Sequence, residues 1–115
     1  MHWPDPGEVP LPEIEIGGRK FAVDAEGFLQ QPDLWDDEVA RLFATTEGIT
    51  KMDEPHWAVV RYIRQYWVEH GTAPMVRKLC QATNLNLRMI FKLFPSGPAK
   101  GACKVAGLPK PEGCV

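Results

Sequence analysis

The chain has 115 residues, of which 44% are hydrophobic and 24% charged, and its formal net charge is −2. This length fits one domain, and the ordinary composition excludes a chain that is disordered throughout. No run of about 18 apolar residues occurs, so we expect no membrane-spanning helix. The beginning, MHWPDPGEVP, lacks the basic and apolar regions of a secretory signal, and we therefore expect a cytoplasmic protein. Three cysteines, an odd number, argue against a closed disulfide framework.

Charge is divided unevenly along the chain. Residues 1–60 hold 13 acidic and four basic residues, whereas residues 61–115 hold nine basic and two acidic residues. One interpretation is a dipolar domain whose two halves attract each other. The other is a basic face that binds an anionic partner: nucleic acid, an acidic protein surface or an anionic substrate.

A proline-rich extension over residues 1–12 precedes the first predicted elements. In EIEI, isoleucines alternate with glutamates, and in KFAV, Phe21 and Val23 alternate with Lys20 and Ala22; the pair Gly17-Gly18 lies between the two runs. This pattern predicts a β-hairpin. A lone hairpin is marginally stable in water, so we expect it to pack against helices.

Four helices are predicted after the hairpin, which makes the domain over residues 13–94 mainly α-helical. The first runs from an N-cap at Asp33 to about Glu47, with Trp35 on its apolar face. The second begins near Asp53, with Pro55 in its first turn, and ends at Gly71.

The third and fourth helices form a short pair that resembles a helix-turn-helix unit. The third starts near Pro74 and the fourth at Asn84 or Asn86. The apolar stripes of the four helices predict these inward side chains: Trp35, Val39, Leu42, Phe43, Val59, Tyr62, Ile63, Tyr66, Trp67, Val76, Leu79, Cys80, Leu87, Ile90, Phe91 and Phe94. Cys80 is accordingly expected to be a buried, inert thiol.

Residues 95–115, PSGPAKGACKVAGLPKPEGCV, have no amphipathic period and contain four prolines and four glycines. We predict a mobile C-terminal arm that begins at Pro95. Its hinges would be Gly97, Gly101, Gly107 and Gly113. An arm that detaches after Phe94 would extend at most ~65 Å to its penultimate residue.

The predicted arm carries two of the three cysteines, Cys103 and Cys114. A thiolate is the reactive form of cysteine, so mobility and local charge matter more here than packing. Lys100, Lys104 and Lys110 are expected to favour thiolates, while the acidic end of the chain opposes this near Cys114. Bends in the arm would also allow a reversible disulfide between the two cysteines.

The end GPAKGACKVAGLPKPEGCV resembles the C-terminal arm of the DsrC family, the gamma subunit of dissimilatory sulfite reductase, which includes the TusE sulfur-relay proteins. The hairpin leading into DAEGFL, Trp35 before EVA, HW at 56–57 and a Pro-then-Arg helix at 74–77 are similar too. The resemblance thus covers about residues 13–115. In that family the penultimate cysteine carries sulfur, which matches Cys114. Members that work with sulfite reductase have a second arm cysteine, which matches Cys103 and which relay-only members usually lack.

This resemblance implies a sulfur carrier and co-substrate, not an enzyme on its own. Cys114 would take up sulfur inside the reductase, and Cys103 would close on it as a trisulfide or disulfide. A membrane-linked thiol reductase would then restore the thiols, or persulfide donors would load the carrier in the opposite metabolic direction. Siroheme and iron–sulfur clusters would belong to the alpha and beta subunits of the reductase. We expect no cofactor and no metal site in this chain, since it lacks their ligand sets.

Two other functions stay open at this point. Sulfur relay for tRNA thiolation would use Cys114 and leave Cys103 idle. A DNA-binding regulator is the second, because the helix pair at 74–82 and 86–94 lies in the basic half of the chain. Its candidate contacts to nucleic acid or to a protein partner are Arg77, Lys78, Arg88 and Lys92.

Overall fold

The computed structural model describes residues 12–109 and shows the predicted β-hairpin at its beginning. Strands β1 (Glu13–Ile16) and β2 (Arg19–Ala22) pair antiparallel, with Ile16 opposite Arg19. Gly17 and Gly18 form the turn with φ values of 58° and 80°. Positive φ at both positions is the conformation that a two-residue hairpin turn requires. Of the predicted proline-rich extension, residues 1–11 lie outside the described residues.

The first helix begins later than predicted. A 3-10 turn at Pro32–Leu34 contains Asp33, and helix α1 (Asp37–Thr46) follows it. The N-cap is Asp36, whose Oδ1 accepts a hydrogen bond of 2.8 Å from the Val39 N–H. Trp35 has extended backbone, with φ −70° and ψ 134°, and this separates the two helical stretches. The prediction of an N-cap at Asp33, with Trp35 on the helix face, is therefore wrong.

Helix α2 (Glu54–His70) has the bounds that the sequence predicts. Asp53 precedes it, Pro55 lies in its first turn, and Gly71 ends it with a φ of 76°. At its beginning, the Asp53 N–H donates to Nδ1 of His56 at 3.0 Å. This satisfies one of the backbone donors that a helix start leaves free.

Helices α3 (Val76–Thr83) and α4 (Leu87–Leu93) follow as a short pair. Leu79 and Ile90 are buried as predicted, but Leu87 and Phe91 are 44% and 47% exposed. Helix α4 has only two turns, and of its apolar residues Ile90 is fully buried and Leu93 packs against the core partly buried, while Phe94 directly after the helix is also fully buried. Cys80 packs against the core, as its predicted inward position requires, but it is half-buried and not fully buried as predicted.

The chain after α4 packs against the domain instead of leaving it. A π-helical turn at Pro98–Ala102 leads directly into α5 (Cys103–Val105). Five hydrophobic residues between positions 98 and 108 are at most 3% exposed: Ala102, Cys103, Val105, Ala106 and Leu108. Residues 98–108 therefore pack against the core and do not leave the domain after Phe94 in this structure, and the mobility of the arm stays a prediction. The sequence shows no amphipathic period here because this short helical stretch is buried on most sides.

Two hydrophobic clusters form the interior of the described residues. The smaller one joins the hairpin to α1 and contains Phe21, Val23, Leu29, Val39 and Phe43. The larger one joins the helices to the segment around Cys103. Trp35 packs against both clusters, so it links the hairpin side of the domain to the C-terminal segment. No helix within residues 12–109 is long and apolar enough to cross a membrane.

Candidate functional site

Cys103 lies in the core at the first position of α5 and is 3% exposed. Its backbone N–H donates to the Pro98 carbonyl, and its own carbonyl accepts from the Leu108 N–H at 3.2 Å. Burial raises the pKa of the Cys103 thiol to about 12, since the thiolate is poorly stabilised away from water. Packed Cys103 therefore favours the thiol form, contrary to the expectation that neighbouring lysines favour its thiolate.

Lys104 is paired with an acidic residue of α1. Its Nζ lies 3.0 Å from Oε1 of Glu47, and the two side chains are only 17% and 9% exposed. The other carboxylate oxygen of Glu47 accepts a hydrogen bond of 2.9 Å from the Ser96 hydroxyl. One carboxylate thus contacts both ends of the stretch from residue 96 to residue 104. Residues 96–108, which contain Cys103, are called the cysteine segment below.

A second set of contacts holds the end of the cysteine segment. The Trp35 Nε1–H donates to the Val105 carbonyl at 2.9 Å. Arg64 of α2 donates from Nη1 to the Ala106 carbonyl at 3.2 Å. Its guanidinium carbon lies 4.8 Å from the ring centroid of Trp35 and 5.3 Å from that of Trp67. A planar cation between two aromatic faces is a stacked arrangement that suits arginine and not lysine.

Arg64 also joins the cysteine segment to the turn before α1. Its Nη2 donates to the Pro32 carbonyl at 2.7 Å. Burial lowers the pKa of Arg64, while the negative charge of Asp33 acts in the opposite direction. An arginine stays charged under such shifts, so the guanidinium provides fixed donors to the two carbonyls.

His56 fixes the point at which the chain leaves α4. Because its Nδ1 accepts from the Asp53 N–H at 3.0 Å, the ring hydrogen is on Nε2, which donates to the Leu93 carbonyl at 3.1 Å. The ring also meets Phe94 edge-on, with centroids 5.4 Å apart. His56, the first residue of the pair HW, thus positions Leu93 and Phe94, which lie just before the cysteine segment.

The glycines of this segment allow close packing. Gly97 has a φ of 91° immediately before the π-helical turn. A Cβ on Gly101 would lie 3.1 Å from that of Phe94, and a Cβ on Gly107 would overlap Cδ1 of Trp35. Gly101 and Gly107 are therefore positions of close approach, not the hinges predicted from sequence.

The structure places the remaining predicted site residues in two groups. Lys100 is exposed, as are the four basic residues of α3 and α4, Arg77, Lys78, Arg88 and Lys92. DNA binding by these four stays a prediction. Lys110, Gly113 and Cys114 lie outside the described residues. Within residues 12–109, no group of three or more histidine, cysteine or acidic side chains could hold a metal ion.

Sequence reasoning missed Glu47 and Arg64. Arg64 contacts a carbonyl 42 positions away, and Glu47 contacts Ser96 at a separation of 49 positions, so no local pattern identifies either residue. One signal existed for Glu47, which is the C-cap residue of α1. An acidic side chain is unfavourable beside the negative end of a helix dipole, and its presence there indicates a compensating cation.

Fold and site together define a class of small helical domains that pack a cysteine-bearing C-terminal segment against their own core. Residues 15–115 match the family model described as DsrC like protein. The chain therefore belongs to the DsrC-like family.

Individual relatives agree with this membership. The chain is 43% identical over 105 residues to the dissimilatory-type sulfite reductase subunit gamma of Nitratidesulfovibrio vulgaris, covering 91% of this chain and 100% of that protein. It is also 43% identical over 109 residues to the sulfurtransferase TusE of Pectobacterium atrosepticum, covering 89% of this chain and 99% of the relative. The crystal structure of the oxidized gamma-subunit of the dissimilatory sulfite reductase from Archaeoglobus fulgidus superimposes with a TM-score of 0.78 at 46% identity, covering 90% of this chain and 100% of that one.

Proposed function

We propose that this chain is a sulfur carrier that acts as the partner and co-substrate of a dissimilatory sulfite reductase, with Cys114 as the sulfur acceptor. The observation that carries the proposal is that the family match runs to residue 115 and so includes both Cys103 and Cys114. Similarity to a subunit gamma over the whole of that protein supports the same conclusion.

The proposed chemistry needs two thiols and no cofactor in this chain. A sulfur atom at the sulfoxylate level, formed by the siroheme and iron–sulfur clusters of the reductase alpha and beta subunits, reacts with Cys114 and then Cys103. Two molecules of water leave and a trisulfide joins the two cysteines. Four electrons and four protons from a thiol reductase then give sulfide and restore both thiols. Because the trisulfide needs two thiols, a second cysteine in the same chain is useful.

Packing of the cysteine segment bears on how far Cys114 can travel. Cys114 lies six positions after Leu108, which is buried. While Leu108 stays in the core, Cys114 can extend at most ~20 Å from it. Release of the whole segment from Phe94 onward would raise the limit to roughly 65 Å. Deep entry into a partner therefore favours at least partial release of the segment that holds Cys103.

Mass spectrometry of the C-terminal peptide after turnover with sulfite reductase tests the proposal. We expect a trisulfide that bridges Cys103 and Cys114, which makes the peptide one sulfur atom heavier than its disulfide form. Cys114→Ala should abolish loading, Cys103→Ala should allow loading without the bridge, and Cys80→Ala should change neither. Absence of any sulfur adduct from the Cys80→Ala protein, with an active reductase, would contradict the proposed function.

Sulfur relay for tRNA thiolation is a second candidate, which the similarity to TusE favours. That reaction requires Cys114 alone. A tRNA thiolation assay that retains full activity with Cys103→Ala and loses it with Cys114→Ala would support this alternative. If the sulfite reductase assay requires both cysteines, the result would favour the first candidate function, the co-substrate of sulfite reductase.

A further inference from the structure

Glu47 lies in an unfavourable position for a carboxylate. It caps the C-terminal end of α1, where free carbonyl groups create a negative potential, and its side chain is only 9% exposed. Burial of a charge without a partner is costly. Lys104, at 3.0 Å, supplies the compensating charge, and the Ser96 hydroxyl supplies a hydrogen bond at 2.9 Å.

The partner of Glu47 is the residue that directly follows Cys103. Cys103 and Lys104 occupy successive positions of α5, and Lys104 also lies over the ring of Phe28 at 5.3 Å. Movement of the Cys103 thiol from the core to solvent requires α5 to move. Such a movement would separate Lys104 from Glu47 and leave a buried carboxylate beside the end of a helix. The ion pair therefore opposes exposure of Cys103.

We propose that Glu47 is a positioning residue for Cys103: its contacts with Lys104 and Ser96 keep the thiol in the core, and Cys103 reacts after these contacts break. In the proposed sulfur transfer, this order makes Cys114 the first thiol to react and Cys103 the second. The order of transfer rests on the proposed function, whereas the control of Cys103 exposure rests on the contacts of Glu47 alone.

Alkylation of a protein with Cys103 as its lone thiol tests the control of exposure. In a background of Cys80→Ala and Cys114→Ala, Glu47→Gln removes the charge and keeps an oxygen that can accept from Ser96. We expect iodoacetamide to modify Cys103 faster, by on the order of tenfold or more, because local opening becomes easier. Glu38→Gln is the matched variant, since Glu38 is 69% exposed and lies 3.9 Å from Arg19. An unchanged rate in Glu47→Gln would overturn the proposal.

A loss of overall stability must be separated from local opening. Val23 is 2% exposed in the smaller cluster and is not among the described contacts of Glu47, which are Lys104 and Ser96, so Val23→Ala should lower stability and keep the ion pair. At equal loss of unfolding free energy, Glu47→Gln should accelerate alkylation more than Val23→Ala does. Equal acceleration would mean that Glu47 has a general structural role and would overturn the proposal. Alkylation of Cys103 should stay slow in Lys104→Arg, which keeps the positive charge. It should become faster in Lys104→Met, which removes that charge.

The order in which Cys114 and Cys103 react can be measured by oxidation of the Cys80→Ala protein with glutathione disulfide. The Cys114 thiolate attacks the reagent and releases one glutathione thiolate. Cys103 then gives up its proton to solvent, attacks the mixed disulfide and releases the second glutathione. We expect Glu47→Gln to accelerate the second step and leave the first unchanged, as quenched samples would show by mass. A slower second step would mean that the packed segment presents Cys103 for reaction, contrary to the proposal.

These measurements use no reductase and no sulfur substrate. Failure of sulfur loading on Cys114 would therefore reject the proposed function and leave the result on Glu47 intact. Conversely, loading could succeed with alkylation of Cys103 unaffected by Glu47→Gln, which would reject the positioning role alone.

Discussion

The indole Nε1 of Trp35 donates a hydrogen bond of 2.9 Å to the carbonyl oxygen of Val105, across 70 positions of sequence. This contact joins the turn before α1 to the C-terminal side of Cys103. Trp35 has extended backbone between the 3-10 turn and α1, and from this position its indole reaches the Val105 carbonyl. The position of Cys103 thus depends on residues from the first third of the chain.

Trp35→Phe tests the strength of this contact. Phenylalanine keeps most of the ring packing and removes the donor, which leaves the Val105 carbonyl without its bond. We expect a loss of about 1–3 kcal/mol in unfolding free energy, the usual cost of an unsatisfied buried group. Denaturant titration followed by circular dichroism measures it. Trp57→Phe is the comparison, because the described contacts of Trp57 with Arg41 and Arg61 use its ring face. Equal losses in the two variants would contradict the role of the hydrogen bond.

Arg64→Lys tests the arginine that donates to two carbonyls. A lysine cannot reach the Pro32 and Ala106 carbonyls together or stack between two indole rings. We expect a loss of about 1–3 kcal/mol in unfolding free energy and faster alkylation of Cys103. Arg61→Lys, at an exposed site 3.5 Å from Asp37, should cost less than about 1 kcal/mol. A neutral effect of Arg64→Lys on both measurements would show that the stacked guanidinium is dispensable.

Local signals determine which parts of this fold were predictable from sequence. The hairpin follows from Gly17-Gly18, and α2 follows from Pro55 and Gly71, because each signal acts within its own element. The start of α1 was misplaced since Asp33 and Asp36 both suit an N-cap, and distant packing of Trp35 decides between them.

The candidate site was predictable only as a pair of cysteines. Their spacing and the family resemblance identified Cys103 and Cys114, but nothing in PAKGACKVAG indicates burial. Small residues such as Gly101 let the chain approach Phe94 closely, and this fit depends on the shape of the assembled core. Contacts that hold the cysteine segment come from Trp35, Glu47 and Arg64, each more than 40 positions away from its partner.

Buried Cys103 should make stability depend on pH in alkaline solution. Its pKa is raised from 9.0 to about 12, so above pH 9 the unfolded chain releases this proton while the folded chain retains it. The contribution of Cys103 is therefore present below pH 9 and is lost as the pH rises towards 12, with a slope of at most about 1.4 kcal/mol per pH unit. Unfolding free energies of the natural chain and Cys103→Ala, measured from pH 7 to 10.5, should converge as the pH rises. A constant difference across this range would contradict a buried, protonated thiol.

Gly107→Ala should lower the unfolding free energy by more than the backbone strain at Gly107 alone would cause. Gly107 has a φ of 74°, and an added Cβ would overlap the indole of Trp35. Gly48 has a similar φ of 78° with nothing within 4 Å of an added Cβ, so Gly48→Ala reports the backbone strain by itself. We expect Gly48→Ala to cost about 1–2 kcal/mol of unfolding free energy, and Gly107→Ala to cost about 1–3 kcal/mol more because of the overlap. The extra cost should come with faster alkylation of Cys103, since the indole that is displaced also holds the Val105 carbonyl. Equal losses in the two alanine variants, measured by denaturant titration, would show that the cysteine segment does not pack against Trp35 in solution.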